Sequence, residues 1–502
     1  MIDSPDAAVP PAIRRYIPLL VYAVIILVII VIPLKIVGYG YLPIYDDALP
    51  DAAKAVSGKP WQDILILKDS YTMDHHIGWH TVLRQIHLRT HWNTENLALF
   101  SVISLFVLFG WSALPWLKRP EAWLATLTLF VAAIGSPYIV RYLVGRPFMI
   151  SFFALLSLLF FWQRQRDTKP TWRSLGTVAS LIALAVLLHG IWYFWVLLVA
   201  AFFLARQFHW GITVAIGWIA GSLVAALLTG HPVTYLVEAV QLALSVMGKH
   251  AFQRTLVSEL QPIGSNLFPL TVLGAILVLR HFTGRNARPL HNDPAFWLAC
   301  IGWVLGFKAS RFWEEWGAPA LMVLSTVELQ ALLETRLPID SLKRLAITCG
   351  LAITLFLAAT NDSDDRWTFN LTTKYVNQED PELTGWLPEK GGIFYDVDMF
   401  FFYQTFFRNP NAEWKYMVGF EPALMPDDDF ETYKAILWSS RDPRAYAPWV
   451  KKMRLEDRLA MRSAGPPQIP NLEWRYACDL WIGRLPRLNG RPNAATPVPS
   501  SQ

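Results

Sequence analysis

The chain has 502 residues, of which 54% are hydrophobic and only 17% are charged, whereas soluble proteins carry about 25% charged residues. This composition argues against a water-soluble globular protein, and the net charge of +5 favours basic membrane loops over a nucleic-acid surface. Redox chemistry has no support, because the C-terminal region has no cysteine pair for a disulfide. The three cysteines are Cys300, Cys349 and Cys478.

Charge-free apolar runs recur along the first 360 residues and predict about eleven transmembrane helices. The first run follows Arg14 and Arg15 and reads as a retained anchor, since it is long for a signal peptide and lacks a small-residue cleavage pattern. The predicted spans are 16–37, 96–114, 121–137, 148–163, 175–189, 191–205, 210–229, 264–280, 294–308, 316–333 and 344–360.

Basic residues mark alternate connections between these spans, which the positive-inside rule assigns to the cytoplasm. We therefore expect a multi-pass protein of the inner (plasma) membrane with a cytoplasmic N-terminus and an extracytoplasmic C-terminal domain. The interrupted run 175–205 allows one long helix or two short ones, and the basic residues at both ends favour two. The marked connections carry Arg14 and Arg15, Lys118 and Arg119, Arg164 to Arg173, Arg206, Arg280 to Arg288, and Arg336 to Arg344.

This path leaves outside the loop 38–95, the segments 138–147 and 230–263, a short connection near Ala309 to Glu315, and everything after residue 361. Within the second segment, Tyr235 to Met247 is too short to span and predicts either a helix at the membrane interface or a re-entrant packing helix. Residues 1–360 thus form the predicted membrane domain.

Residues 361–488 predict a small soluble α/β or α+β domain, because short apolar runs alternate with turn residues. The last residues, 489–502, are rich in Pro, Asn and Ser and predict a disordered tail. A helix is expected over Met399 to Phe407. Strands are expected at Ile393 to Asp398, Trp414 to Gly419, Ala435 to Trp438 and Cys478 to Gly483.

Two adjacent carboxylates, Asp46 and Asp47, follow the first span directly. An Asp at the outer membrane boundary suits a general base for an acceptor hydroxyl or a ligand for a cation. Solvated loop acids or a helix N-cap explain the same pair without chemistry.

A histidine-rich segment follows, with five of the eleven histidines between His75 and His91. In a helix, His76, His80, His87 and His91 share one face. Asp74, His76 and His80 are the candidate ligands for a divalent cation such as zinc. Hydrogen bonds from interfacial histidines to lipid headgroups or acceptor hydroxyls explain the cluster as well.

Basic residues on the outer side form the third candidate set, because orientation bias makes them uncommon there. Guanidinium groups hold phosphate oxygens through bidentate hydrogen bonds. Snorkelling to ordinary lipid phosphates is the alternative, and Glu314 and Glu315 could neutralise Arg311. The set comprises Arg141, Arg146, Lys249, Arg254, Lys308 and Arg311.

These segments resemble the GT-C superfamily of membrane glycosyltransferases. Asp46-Asp47 is similar to the acidic start of that family's first outer loop, and the stretch from Asp74 to Trp92 is similar to an Asp-His-Pro-Pro-Leu motif, with His76 and Ile77 where prolines would stand. Arg311-Phe312 with Glu314, Glu315 and Pro319 resembles the opening of a late span in bacterial GT-C-like proteins. The segment from Phe394 to Asp429 resembles their C-terminal domain.

The resemblance implies inverting transfer of a sugar from a polyprenyl-phosphate donor to a glycan, lipid or protein of the cell envelope, with a divalent cation as an optional cofactor. It implies a base at Asp46, or else Asp47. Phosphate would be held by Arg141, Arg146, Lys249, Arg254 and Arg311. Substrate would be positioned by Asp74, His75, His76 and His80.

Membrane lipids are expected partners, and nucleic acid is not. Two rival functions are a lipid or polysaccharide transporter and a non-catalytic assembly protein on the same scaffold. A transporter should show charged residues in mid-membrane and an internal repeat, and the sequence shows neither.

Overall fold

The structure is a computed structural model that describes residues 14–43, 47–134, 136–248, 258–264, 267–282 and 289–487. The chain divides into two compact units. The first comprises Met1–Val56 and Met73–Thr373, and the second comprises Ser57–Thr72 and Lys374–Gln502. The predicted disordered tail, 489–502, lies outside the described residues.

The first unit is built from helices. Each of the eleven predicted spans coincides with one of them, in whole or in large part. The helices are Ile17–Gly38, Ala48–Ser57, Ile77–Thr90, Thr94–Trp111, Glu121–Ile134, Ser136–Tyr142, Phe148–Gln165, Trp172–His189, Val196–Leu204, Phe208–Leu228, Pro232–Gly248, Phe268–Phe282, Pro294–Gly306, Ser310–Phe312, Ala318–Arg336 and Leu342–Thr360.

Within the described part of the chain, seven helices are long and apolar enough to cross a membrane. This is the make-up of a polytopic α-helical membrane protein. The predicted spans 121–137, 191–205, 264–280 and 294–308 coincide with shorter apolar helices.

The interrupted run 175–205 forms two helices, as predicted. The first of them, Trp172–His189, ends at Gly190, whose φ of +80° lies in the left-handed region. The second, Val196–Leu204, begins after a 3-10 turn. A Cβ at position 190 would also lie 2.6 Å from the backbone oxygen of His75, so glycine satisfies two constraints there.

Small residues allow close helix packing in this unit. The helix Phe208–Leu228 packs against Trp172–His189 through Gly217 and Gly221, where a Cβ would lie 2.6 Å from Val178 Cγ1 and from the Ala179 oxygen. Glycines four residues apart are a recurrent contact between membrane helices, since they let two backbones approach each other.

A single π-helical turn, Trp313–Gly317, precedes the helix Ala318–Arg336. Such turns widen a helix and are common at functional sites. The turn packs closely against the helix Pro294–Gly306. A Cβ on Gly302 would lie only 2.5 Å from the Gly317 Cα. The turn holds the Glu315 side chain in a buried position.

The second unit contains a five-stranded mixed sheet with the strand order β2-β1-β3-β5-β4. Strand β1 is parallel to β2 and β3, whereas β5 is antiparallel to β3 and β4. The unit also has the helices Trp61–Ile64, Met399–Arg408, Asp427–Trp438 and Ala447–Lys452. The strands are β1 Ile393–Tyr395, β2 Lys415–Tyr416, β3 Arg458–Met461, β4 Glu473–Ala477 and β5 Leu480–Arg484.

The segment Ser57–Thr72 comes from the loop after the first span, yet it belongs to this second unit. Leu65 forms a parallel bridge to Tyr416 beside β2, and the Ile66 amide donates to the Tyr416 oxygen. The Trp61 ring packs on Phe420 with centroids 5.0 Å apart. The first loop and the C-terminal region are therefore parts of one folded body.

One expected strand in this unit is wrong. Ala435 to Trp438 forms the last turn of the helix Asp427–Trp438. Three Asp residues in the first turn favour the positive end of the helix dipole, and Phe430, Tyr433 and Ile436 are buried at helical spacing. The expected helix from Met399 is confirmed, and it extends to Arg408.

Candidate functional site

The helix Ala48–Ser57 carries two carboxylates to one place. Asp47 precedes its first turn, because the Asp51 amide donates to the Asp47 oxygen at 2.9 Å. Residues four apart share a helix face, so Asp51 follows Asp47 on that face. The Asp51 side chain is buried.

His80 lies between two carboxylates. Its Nδ1 is 2.6 Å from Asp74 Oδ2, and its Nε2 is 2.8 Å from Asp51 Oδ1. Burial alone would lower the pKa of His80, but the two carboxylates outweigh burial and raise it to about 10. The three residues form the Asp51–His80–Asp74 chain, with an imidazolium at its centre at neutral pH.

The pKa of Asp74 responds to the same contacts. Burial would raise it, but the charge and hydrogen bond of His80 hold it well below its ordinary value. The neighbouring histidines behave differently, because burial lowers the pKa of His75 to about 4 and also lowers that of His76. Both imidazoles are therefore neutral at neutral pH.

Close backbone contacts hold the histidine-rich segment against the end of the helix Trp172–His189. Besides the contact at Gly190, a Cβ on Gly78 would overlap the backbone oxygen of Leu187. The His76 and His189 rings lie 5.7 Å apart. His189 Nδ1 is 2.9 Å from Ser151 Oγ.

The predicted helical face of four histidines is divided by the structure. His76 is the N-cap of the helix Ile77–Thr90, and His91 is its C-cap in the left-handed region. His87 Nδ1 lies 2.7 Å from the Trp92 oxygen, at the other end of the same helix from His76 and His80. His76 and His80 are thus the pair that meets Asp51.

Three of the predicted arginines meet in one ion-pair network, here called the arginine cluster: Arg141, Arg146 and Arg311 with Glu259, Glu314 and Glu315. Arg141 lies 3.1 Å from Glu259 and Glu314 and 3.3 Å from Glu315. Arg146 lies 2.5 Å from Glu259, and Arg311 lies 2.8 Å from Glu315. The arginines lower the pKa of Glu259 against the effect of its burial.

Asp47 connects the first loop to the arginine cluster. Its Oδ2 lies 2.9 Å from Arg146 Nη2. Arg141 and Arg146 also stand over the Phe148 ring, with 4.9 and 5.7 Å to its centroid. The structure therefore brings residue 47 and residue 311 into one network.

A narrow pocket joins the two groups of residues. Its lining includes Phe148, Ser151, His189 and Glu315, so one side meets the arginine cluster and the other meets the histidines. Arg146 and Arg311 act electrostatically on His189. The lining thus includes one imidazole, that of His189, and one carboxylate, that of Glu315, which pairs with Arg311 of the arginine cluster.

Three predicted site residues, Asp46, Lys249 and Arg254, lie outside the described residues. Three residues that the sequence reasoning did not propose belong to the site: Asp51, Glu259 and His189. Asp51 could have been found from its spacing of four after Asp47. Glu259 and His189 carry no such local signal, because their positions depend on how distant helices pack.

A scan against models of known protein families found no match, and a search of curated proteins found no relative.

Proposed function

We propose that the chain is a membrane glycosyltransferase of the GT-C type, which transfers a sugar from a polyprenyl-phosphate donor to an extracytoplasmic acceptor. The observation that carries the proposal is the ion pair between Asp47 and Arg146 inside the arginine cluster. It puts a candidate base next to candidate phosphate ligands.

The proposal includes eleven membrane crossings with the site on the outer side. A path through the seven long helices alone would separate Asp47 from Arg146, which are 2.9 Å apart. It would also separate Arg164 from Pro115, although Arg164 Nη1 donates to the Pro115 oxygen at 3.1 Å. Both conflicts disappear when the four shorter apolar helices that coincide with predicted spans are counted as crossings.

Contacts at the two ends of the helices agree with this path. With eleven spans, Asp47, His189, Glu259 and the residues around Arg311 all fall on one side. The polar contacts at the opposite end of the helices involve different residues. They include Arg344 with Glu121 at 2.7 Å, Gln163 with Asp293 at 2.6 Å, and Gln207 with the Asn292 oxygen at 3.1 Å.

The second unit gives a separate constraint, on whether the number of membrane crossings is odd or even. Ser57–Thr72 and the region after Lys374 are in one folded body and hence in one compartment. The chain must cross the membrane an even number of times between them. Ten of the eleven proposed spans lie in that interval, and the positive-inside rule puts the shared compartment outside.

In the proposed reaction, Asp47 accepts the proton of an acceptor hydroxyl. The hydroxyl oxygen forms a bond to the anomeric carbon while the bond from that carbon to the phosphate oxygen breaks. Polyprenyl phosphate leaves with the bonding electrons, and the arginine cluster stabilises its negative charge. In this scheme Arg146 pairs with Asp47 when no donor is bound and with the donor phosphate when it is. The phosphate thereby displaces Asp47 from the guanidinium, and Asp47 is then free to act as the base.

The test uses the purified full-length protein in lipid nanodiscs. Polyprenyl-phosphate-linked hexoses and pentoses are supplied with an extract of envelope glycans and lipids, and release of polyprenyl phosphate is followed by mass spectrometry. Asp47→Asn should lower the rate about 100-fold or more, as expected for loss of a general base. Asp63→Asn changes an exposed carboxylate of the same loop and should leave the rate unchanged. Release from no donor, or equal rates for Asp47→Asn and wild type, would refute the proposal.

A further inference from the structure

Three possible metal ligands from two helices converge beside the arginine cluster. Asp51 comes from the helix Ala48–Ser57, and His76 and His80 come from the N-cap and the first turn of Ile77–Thr90. One ligand atom from each residue lies within 4.8 Å of the other two. We infer that Asp51, His76 and His80 hold a divalent transition-metal ion, for which Zn²⁺ is the probe.

The donor types favour zinc over calcium or magnesium. Two imidazoles and one carboxylate match zinc sites that leave a fourth position open for water or substrate, whereas Ca²⁺ and Mg²⁺ prefer all-oxygen sites. With bonds of about 2.0–2.2 Å, tetrahedral ligand atoms lie roughly 3.4 Å apart. Small side-chain rotations would bring the three residues from their present spacing to that distance.

Asp74 supplies the outer partner that such a site requires. Metal-bound histidines commonly donate their second ring N–H to a carboxylate, which fixes the tautomer and the ring orientation. His80 has this arrangement, because its Nδ1 is 2.6 Å from Asp74 and its Nε2 faces Asp51. Asp74, which the sequence suggested as a ligand, is thus a positioning residue for His80.

A buried oxygen of Asp51 marks the place for the cation. Only 3% of Asp51 is exposed, and its Oδ2 has no hydrogen-bond partner within the described part of the chain. An unsatisfied buried carboxylate oxygen is costly. A cation at this point would satisfy it and take the place of the proton shared by Asp51 and His80.

This site goes beyond the proposed transfer reaction, since cation binding is measurable without donor or acceptor. If the protein binds Zn²⁺ but transfers no sugar, the metal site stands and the transferase proposal fails. If it transfers sugar but binds no Zn²⁺, the transferase proposal stands and the metal site fails.

The experiment measures Zn²⁺ binding by the full-length protein in nanodiscs after treatment with a chelator. Equilibrium dialysis with elemental analysis gives stoichiometry and affinity, and X-ray absorption reports imidazole ligands. His76→Gln is the principal variant, because it leaves the Asp51–His80–Asp74 chain intact and so tests binding without disturbing the fold. Asp74→Asn tests the positioning role, and His87→Ala is the control on the same helix.

Wild type should bind one Zn²⁺ per chain with imidazole scattering in its spectrum. Asp74→Asn should weaken binding about 10- to 100-fold, as loss of an outer partner does, and His76→Gln should weaken it at least as much. His87→Ala should bind like wild type. Absence of binding by wild type, unchanged affinity in His76→Gln, or equal losses in His76→Gln and His87→Ala would each overturn the site.

Discussion

Arg146 is the residue at which the two halves of the proposed reaction meet. It contacts Asp47, the candidate base, and Glu259, a carboxylate that also pairs with Arg141. A guanidinium binds carboxylate and phosphate through the same planar pair of donors. An incoming lipid phosphate can therefore replace a carboxylate at Arg146 without any change of the backbone.

We expect Arg146→Gln to lower kcat/KM for the lipid-linked donor about 10- to 100-fold, the equivalent of one charge-assisted hydrogen bond. Steady-state release of polyprenyl phosphate measures this. Arg173→Gln alters an exposed arginine and should retain wild-type kinetics. Unchanged kinetics in Arg146→Gln would remove this residue from the phosphate site.

Asp396 is a buried carboxylate in the C-terminal unit, directly after β1. Burial raises its pKa well above the ordinary value, the nearby Asp398 raises it further, and Arg441 and Arg462 oppose the effect. The folded state thus keeps a proton that the unfolded state releases near pH 4. The free energy of unfolding must fall as the pH rises from about 4 towards the folded pKa, by about 1.4 kcal/mol for each unit between the two values.

Asp396→Asn should remove this pH dependence, since an amide can accept the same Asp398 amide bond without becoming charged. Hydrogen exchange of β1 and β3 in the full-length protein, corrected for intrinsic rates, should be slower in the variant than in wild type at pH 8. The two proteins should converge at pH 4. A variant that exchanges as fast as wild type at pH 8 would show that folding does not raise the pKa of Asp396.

At the scale of single elements, the sequence predicted much of the helical part of the fold. Length and lack of charge are local properties of each apolar run, so helices appeared where 148–163 and 344–360 were expected. The strand expected at Ala435 to Trp438 failed because four apolar residues fit either structure. Its true structure depends on acidic residues that begin the helix eight positions earlier.

The site could be predicted only in part, for a related reason. Topology alone suggested that Asp47 and Arg311 share one side of the membrane. No sequence pattern states that His189 ends its helix beside His76, or that Glu259 lies between two arginines. Those contacts come from packing between helices far apart in the chain.

Substitution of Gly78 tests how closely the segment 75–78 packs against the helix that ends at His189. Gly78→Ala should lower the midpoint of thermal unfolding, because its Cβ would overlap the Leu187 oxygen, and overpacking costs about 1–3 kcal/mol. Gly176→Ala is the matched control, since a Cβ there meets nothing within 4 Å and Ala is the better helix former. Equal effects of the two substitutions would show that the segment 75–78 is not held against the helix ending at His189.

At the scale of the whole molecule, two independent features constrain the path through the membrane. The ion pairs group residues of four connections at one end of the helices. The second unit contains chain from both the first loop and the region after the last span. Both features fit the proposed eleven crossings, and the ion pairs are the feature that distinguishes eleven crossings from seven.

Cysteine labelling measures that path. In a background with alanine at the three native cysteines, Asp63→Cys should react with an impermeant reagent in intact cells. Asp167→Cys and His291→Cys should react only after permeabilisation, because eleven spans place these exposed residues inside. A seven-span path puts both of them outside, so labelling of either in intact cells would contradict the proposed topology.

The proposed reaction requires that a lipid phosphate bind on the outer side, between the candidate base and the arginine cluster. An electron cryo-microscopy structure of the protein in nanodiscs with added polyprenyl phosphate tests it most directly. We predict phosphate density in contact with the guanidinium of Arg146 or Arg311, with Asp47 released from its ion pair. Phosphate bound at the opposite end of the helices, near Arg119 and Arg344, would contradict the account.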